Sequence, residues 1–144
     1  MRLLIGLALA AAACGGYSTP SDDQDPGGFD SGCQSDTTCS PDVCARDGEC
    51  LPASDVRSIR VTWTVDGSAA NATSCTTIPS LFLEFNGGPQ DGVGFAPVPC
   101  MEGNFSVDKM PSRFDDVQIG IDNGGFLGDS EFDGSGDVSF DLQP

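Results

Sequence analysis

The chain of 144 residues carries 22 acidic side chains, 6 basic ones and no histidine, for a formal net charge of -16. That balance argues against nucleic-acid binding, which needs clustered Lys and Arg on the phosphates. The missing imidazole excludes serine–histidine and cysteine–histidine relays and every imidazole metal site.

Met1 and Arg2 give a short positive start, followed by an apolar run from Leu3 to Ala13. Eleven such residues cover only about 16 Å of helix, roughly half a bilayer, so residues 1–13 read as a signal peptide and not a spanning helix. The run ends in Ala11-Ala12-Ala13-Cys14-Gly15-Gly16, which resembles the lipobox of bacterial lipoproteins. The resemblance implies cleavage before Cys14, lipidation of that cysteine as the new N-terminus, and, with Gly15 following it, delivery to the outer membrane. Ala11 stands where that family prefers leucine, and Ala11-x-Ala13 also satisfies an ordinary secretory cleavage site at the same bond. Cleavage removes one arginine and leaves 22 acidic against 5 basic residues, a charge of -17.

Seven cysteines follow the same logic: Cys14, then Cys33, Cys39, Cys44 and Cys50, then Cys75 and Cys100. In an oxidising, exported setting thiols pair, and six pair off while Cys14 is left for the lipid. Its acyl chains, at ~0.8 kcal/mol per buried CH₂, make the membrane the first expected partner. Residues 14–32, with Asp22, Asp23, Asp25 and Asp30 and no base, read as a disordered acidic tether. The eighteen residues after Cys14 reach about 24 Å on average.

Residues 33–52 hold the spacing C-x5-C-x4-C-x5-C. So short a segment buries no core and depends on covalent staples. Three pairings are open; the interleaved one, Cys33–Cys44 with Cys39–Cys50, compacts the segment most evenly. A four-thiolate zinc site is the competing reading, but zinc ribbons use tight C-x2-C pairs and the compartment oxidises thiols. The segment resembles the four-cysteine EGF-like or Dickkopf-like repeats of exported proteins, which implies a spacer or contact module.

Residues 55–144 carry the only real core. Ile59, Val61, Trp63 and Val65 alternate with polar residues up to Asp66-Gly67, and Leu81, Leu83 and Phe85 repeat the pattern up to Asn86-Gly87-Gly88. Val117, Ile119 and Ile121 do so before Asp122-Asn123-Gly124-Gly125, and Val138, Phe140 and Leu142 close the chain. Shorter strands are predicted at 94–96, 104–107 and 126–132, and no stretch shows a 3.6 period. The fold class is therefore all-β, a small antiparallel β-sandwich behind the stapled module and tether. Cys75 and Cys100 flank the second strand as a bridge, and Trp63 belongs to the core. The order of strand with Trp, Cys, strand, Cys, then strands resembles the immunoglobulin-like or transthyretin-like repeats of bacterial surface proteins. Trp63 precedes both cysteines, unlike the Cys-Trp-Cys order of antibody-type domains.

One segment invites a metal. Asp129, Glu131, Asp133, Ser135 and Asp137 alternate with Gly134 at the sixth place, as in the start of an EF-hand calcium loop. Phe140 stands where a closing glutamate belongs, so the competing reading is a metal-free Asp-Gly turn. No cofactor is otherwise expected. Asp91, Asp115 and Asp116 are carboxylates of the type that glycoside hydrolysis uses, but their spacing selects no pair, and adjacent strand residues diverge. With no Gly-x-Ser-x-Gly elbow and no phosphate loop, the chain reads as non-catalytic. The expectation is an envelope lipoprotein that presents a small acidic domain to a protein or polysaccharide partner. The alternatives are a passive envelope component and a calcium-dependent binder. The Gly-rich turns 86–88, 122–125 and 129–137 are the candidate contact loops.

Overall fold

A computed structural model of the chain describes residues 32–144. The expected signal peptide, Cys14 and the expected tether up to residue 31 lie outside the described residues.

The Cys-rich segment folds around two interleaved bridges, Cys33–Cys44 and Cys39–Cys50. It holds a single helical turn, α1 (Asp36–Cys39), and a two-residue antiparallel ladder of β1 (Val43–Cys44) with β2 (Cys50–Leu51). The one turn of helix is too short to leave a periodic signature, which is why the sequence shows none. Gly48 sits at φ +84°, a conformation that suits glycine. Its carbonyl accepts the Cys33 N–H at 2.7 Å.

The larger part is a mostly antiparallel β domain. β3 (Val56–Val65) ends in the Asp66-Gly67 turn, both residues at positive φ, which returns the chain into β4 (Ser68–Ala69). β5 (Ser80–Gly88), β6 (Asp91–Pro99), β7 (Asn104–Pro111), β8 (Asp116–Ile121), β9 (Phe126–Glu131) and β10 (Asp137–Leu142) follow. One sheet is centred on β3, with β10 on one side and β7 and then β4 on the other; the second runs β6-β5-β8-β9. A purely antiparallel arrangement is corrected here. β10 lies parallel to β3, Asp137 opposite Arg60 through Leu142 opposite Val65, because the long chain between them allows a crossover that a hairpin does not.

The two sheets bury one shared apolar cluster. It takes Ile59, Val61, Trp63 and Val65 from β3, Leu81, Leu83 and Phe85 from β5, and Val117 and Ile119 from β8. The Trp63 indole N–H donates to the Cys100 carbonyl at 2.7 Å, so its one polar atom is satisfied inside the core. Cys100 is bridged to Cys75 beside it. Arg57 continues the inward row of β3. Its guanidinium lies 5.3 Å from the Phe132 ring centre and donates to the Phe114 carbonyl at 2.8 Å.

Candidate interaction surface

β7 carries a bulge against β3: Arg57 opposes Met110 and Ile59 opposes Val107, so Ser58 faces two residues, Asp108 and Lys109. Lys109 absorbs the extra residue at φ +55°. A bulge re-aims the side chains it carries, and both point into the Cys-rich segment. Lys109 Nζ donates to both Asp36 oxygens at 2.7 and 2.8 Å. The Arg46 guanidinium bonds the Asp108 carboxylate, its Nε donates to the Asp108 carbonyl at 3.1 Å, and the Arg46 N–H donates to the Lys109 carbonyl at 3.0 Å. Arg113, just past β7, reaches Asp47, Glu49 (3.2 Å) and Asp91 (2.6 Å). The stapled segment, expected as a spacer or contact module, is thus joined to the β domain by ion pairs.

These contacts set the local charge states. The Lys109 hydrogen bond, then the Cys44 N–H, hold the Asp36 carboxyl below the usual carboxylate range. The Arg46 bond does the same for Asp108. Burial works against the Arg113 charge, but Asp91, Asp47 and Glu49 outweigh it and the guanidinium is held more firmly protonated.

Strand directions now order the surface. β3 leaves the stapled segment and runs away from it, and the other strands align with it in alternating sense or, for β10, in parallel. All five described basic residues, Arg46, Arg57, Arg60, Lys109 and Arg113, lie at Arg60 or on the stapled side of it. The opposite end gathers the Asp66-Gly67 turn, the 100–103 corner and the 122–125 turn. Among the described residues it presents Asp66, Glu102, Asp122 and Asp141 and no cation. Of the three predicted contact loops, only 122–125 is at this distal end; 86–88 and 129–137 turn at the stapled end, so the three form no common edge. Nothing in the sequence orders the loops, because that follows from strand pairing. Phe126, 56% exposed, begins β9 at the distal end.

The calcium-like segment divides between two elements. Asp129 and Glu131 stand on the outer side of β9, Asp133 and Ser135 lie in the following turn, and Asp137 opens β10. The Asp133 carboxylate accepts the Ser135 hydroxyl and N–H and the Asp137 N–H at 2.5 to 3.3 Å. Those bonds lower its pKa from the ordinary value. Among the described residues, the one trio of metal-type ligand atoms within 4.8 Å is Cys33, Cys39 and Cys44, whose sulfurs are in bridges. The carboxylates considered for hydrolysis are held by neighbours: Asp91 by Arg113, and Asp116 by the Asn86 amide at 3.1 Å. Asp115 is exposed beside them.

A shallow cleft of about 510 Å³ opens on the outer face of the β3 sheet, where Arg60 lies between Ser106 of β7 and Asp137 of β10. Sequence reasoning missed it, since its residues come from three strands far apart in the chain. No helix among the described residues is long and apolar enough to cross a membrane. Compared with known proteins, the chain matches no protein-family model, no curated sequence and no solved structure. What the described residues make is a small, non-helical β domain with a disulfide-stapled base.

Proposed function

We propose that this is an envelope lipoprotein without catalytic activity, anchored through Cys14, whose stapled segment serves as a rigid base for an immunoglobulin-like or transthyretin-like sandwich. The observation that carries the reading is where the cations lie: no described cation lies beyond Arg60 toward the distal end, whose charged residues are acids. A tether that enters at the stapled segment leaves the opposite end facing outward, where loops vary without unfolding a core. The partner is a cationic protein or polysaccharide surface, met at Asp66, Glu102 and Asp122.

The test is capture by residues 32–144 at low and high salt, with and without calcium, alongside an Asp66→Asn, Glu102→Gln, Asp122→Asn triple variant. Capture that fades past about 0.15 M salt, where the Debye length is ~8 Å, and is lost in the variant supports the reading. No reproducible capture points instead to a passive envelope role, and turnover of a substrate overturns both. Fatty-acid labelling of wild type but not of Cys14→Ser tests the anchor.

A further inference from the structure

Two described cations, Arg57 and Arg60, are held by no carboxylate, and Arg60 alone has no other side-chain partner among the described residues. Arg46, Lys109 and Arg113 each make ion pairs, and Arg57 is engaged by the Phe114 carbonyl and the Phe132 ring. Arg60 makes neither an ion pair nor a side-chain hydrogen bond among the described residues, although Asp137 is its direct cross-strand neighbour. The Asp137 carboxylate instead lies 3.0 Å from the Ser135 hydroxyl, whose proton is shared with the closer Asp133 carboxylate at 2.5 Å. Among the described residues nothing accepts from the five N–H donors of the guanidinium.

The surroundings of Arg60 restrict what that acceptor is. Its cleft is lined by Ser58, Ser106 and Ser135 and by Asp108 and Asp137. Both walls are fixed before any ligand arrives: Asp108 by Arg46, and the 133–137 turn by the bonds to Asp133. A preorganised wall loses little freedom on binding. A carboxylate matches the planar guanidinium fork with two parallel bonds. Two flanking carboxylates disfavour a dianion such as phosphate, yet they accept hydrogen bonds from hydroxyls, as the serines do.

We propose that this cleft binds a monocarboxylate that also carries hydroxyls, the chemistry of a uronic acid, with Arg60 as the carboxylate clamp. The source is a free sugar acid or a uronate within a glycan. The chain's charge of -16 repels any such ligand at long range, so affinity rises with moderate salt, opposite to the cationic partner proposed for the distal end. The two proposals fail independently.

The experiment is titration of the full chain with galacturonate, oligogalacturonate, galactose and inorganic phosphate, followed by amide chemical shifts at 58–60, 106–108 and 135–137. Saturable shifts with galacturonate are expected, tightening between 20 and 150 mM salt. Arg60→Ala should weaken them at least tenfold and Arg60→Lys severalfold, both with an unchanged melting curve since Arg60 is exposed. Equal response to the monomer and the oligomer assigns a free acid; a response only to the oligomer assigns a glycan. Equal binding of galactose, tighter binding of phosphate, indifference to Arg60→Ala, or no saturable shift overturns the proposal.

Discussion

Lys109 and Asp36 lie 73 positions apart and form a two-pronged ion pair, Nζ to both carboxylate oxygens. The lysine reaches Asp36 from a left-handed backbone at φ +55°. That conformation costs a non-glycine residue about 1 kcal/mol, and the chain accepts it where its only lysine meets the stapled segment. Two replacements separate the terms. Lys109→Gly removes the backbone cost together with the ion pair, while Lys109→Met removes the ion pair alone. Exposed pairs contribute little to global stability, so Lys109→Gly should unfold at the same denaturant concentration as wild type or slightly above, and Lys109→Met slightly below. Both should speed exchange of the Cys44 amide, which bonds Asp36 at 3.0 Å. Unchanged exchange in both would show that the pair does not hold the joint.

Acid should open the same joint before the core. The Asp36 and Asp108 carboxyls have folded pKa values lowered by Lys109 and Arg46. A lowered carboxyl stabilises the folded joint fully above the unfolded value near 3.9, and that contribution is lost as pH falls through the lower folded value. No charged or polar residue is fully buried in the described part, so the core has no comparable titrating group. Hydrogen exchange between pH 5 and pH 2 should therefore show the 36–46 amides losing protection below about pH 4 while β3 and β5 keep theirs. Simultaneous loss, or loss beginning in the core, would contradict it.

Gly120 of β8 is required by a neighbour and not by its own backbone. A Cβ there would come within 2.1 Å of the Phe82 ring and 2.8 Å of the Gly125 carbonyl. Gly120→Ala should cost about 1–3 kcal/mol, as overpacking does. Gly94→Ala on β6, whose Cβ would meet nothing closer than the Leu83 carbonyl at 3.9 Å, is the control. Chemical denaturation of both decides it, and equal midpoints would refute the steric account.

The four strongest strands were legible because each has a wet and a dry face. β3, β5, β8 and β10 alternate, and the even count of cysteines after Cys14 accompanies three bridges. β6 extends well beyond the predicted 94–96 because its exposed positions are Gly92, Gly94, Ala96, Pro97 and Pro99, small or ring-locked residues that weaken the signal of an edge strand. β7 runs past Val107 to Pro111 because the bulge at Asp108 and Lys109 resets which side faces inward. The parallel β3–β10 pairing and the ion pairs of Lys109 and Arg46 join residues more than 60 positions apart. No local pattern encodes such a neighbour. The same holds for Arg60, which in sequence is one polar residue of an alternating strand.

Trp63 and the Cys75–Cys100 bridge should behave as one unit. Trp63 is 3% exposed, and its indole shares the Cys100 carbonyl with the Gly103 N–H, at 2.7 and 3.1 Å. In Trp63→Phe the carbonyl keeps the Gly103 bond, so the hydrogen-bond loss is about 1 kcal/mol, with a further loss from the smaller ring. Removing the bridge as Cys75→Ala, Cys100→Ala frees a 25-residue separation, worth about 3–4 kcal/mol in the chain-entropy model. The bridge also anchors the carbonyl that the indole needs, so the losses should not add. The triple variant should differ from the sum by at least about 0.5 kcal/mol, the size expected for residues in contact. Because Trp63→Phe removes the chain's single tryptophan, far-ultraviolet circular dichroism of the β-sheet follows all the unfolding curves. Strict additivity would mean that the indole finds its acceptor without the bridge, and that the bridge acts on the unfolded chain alone.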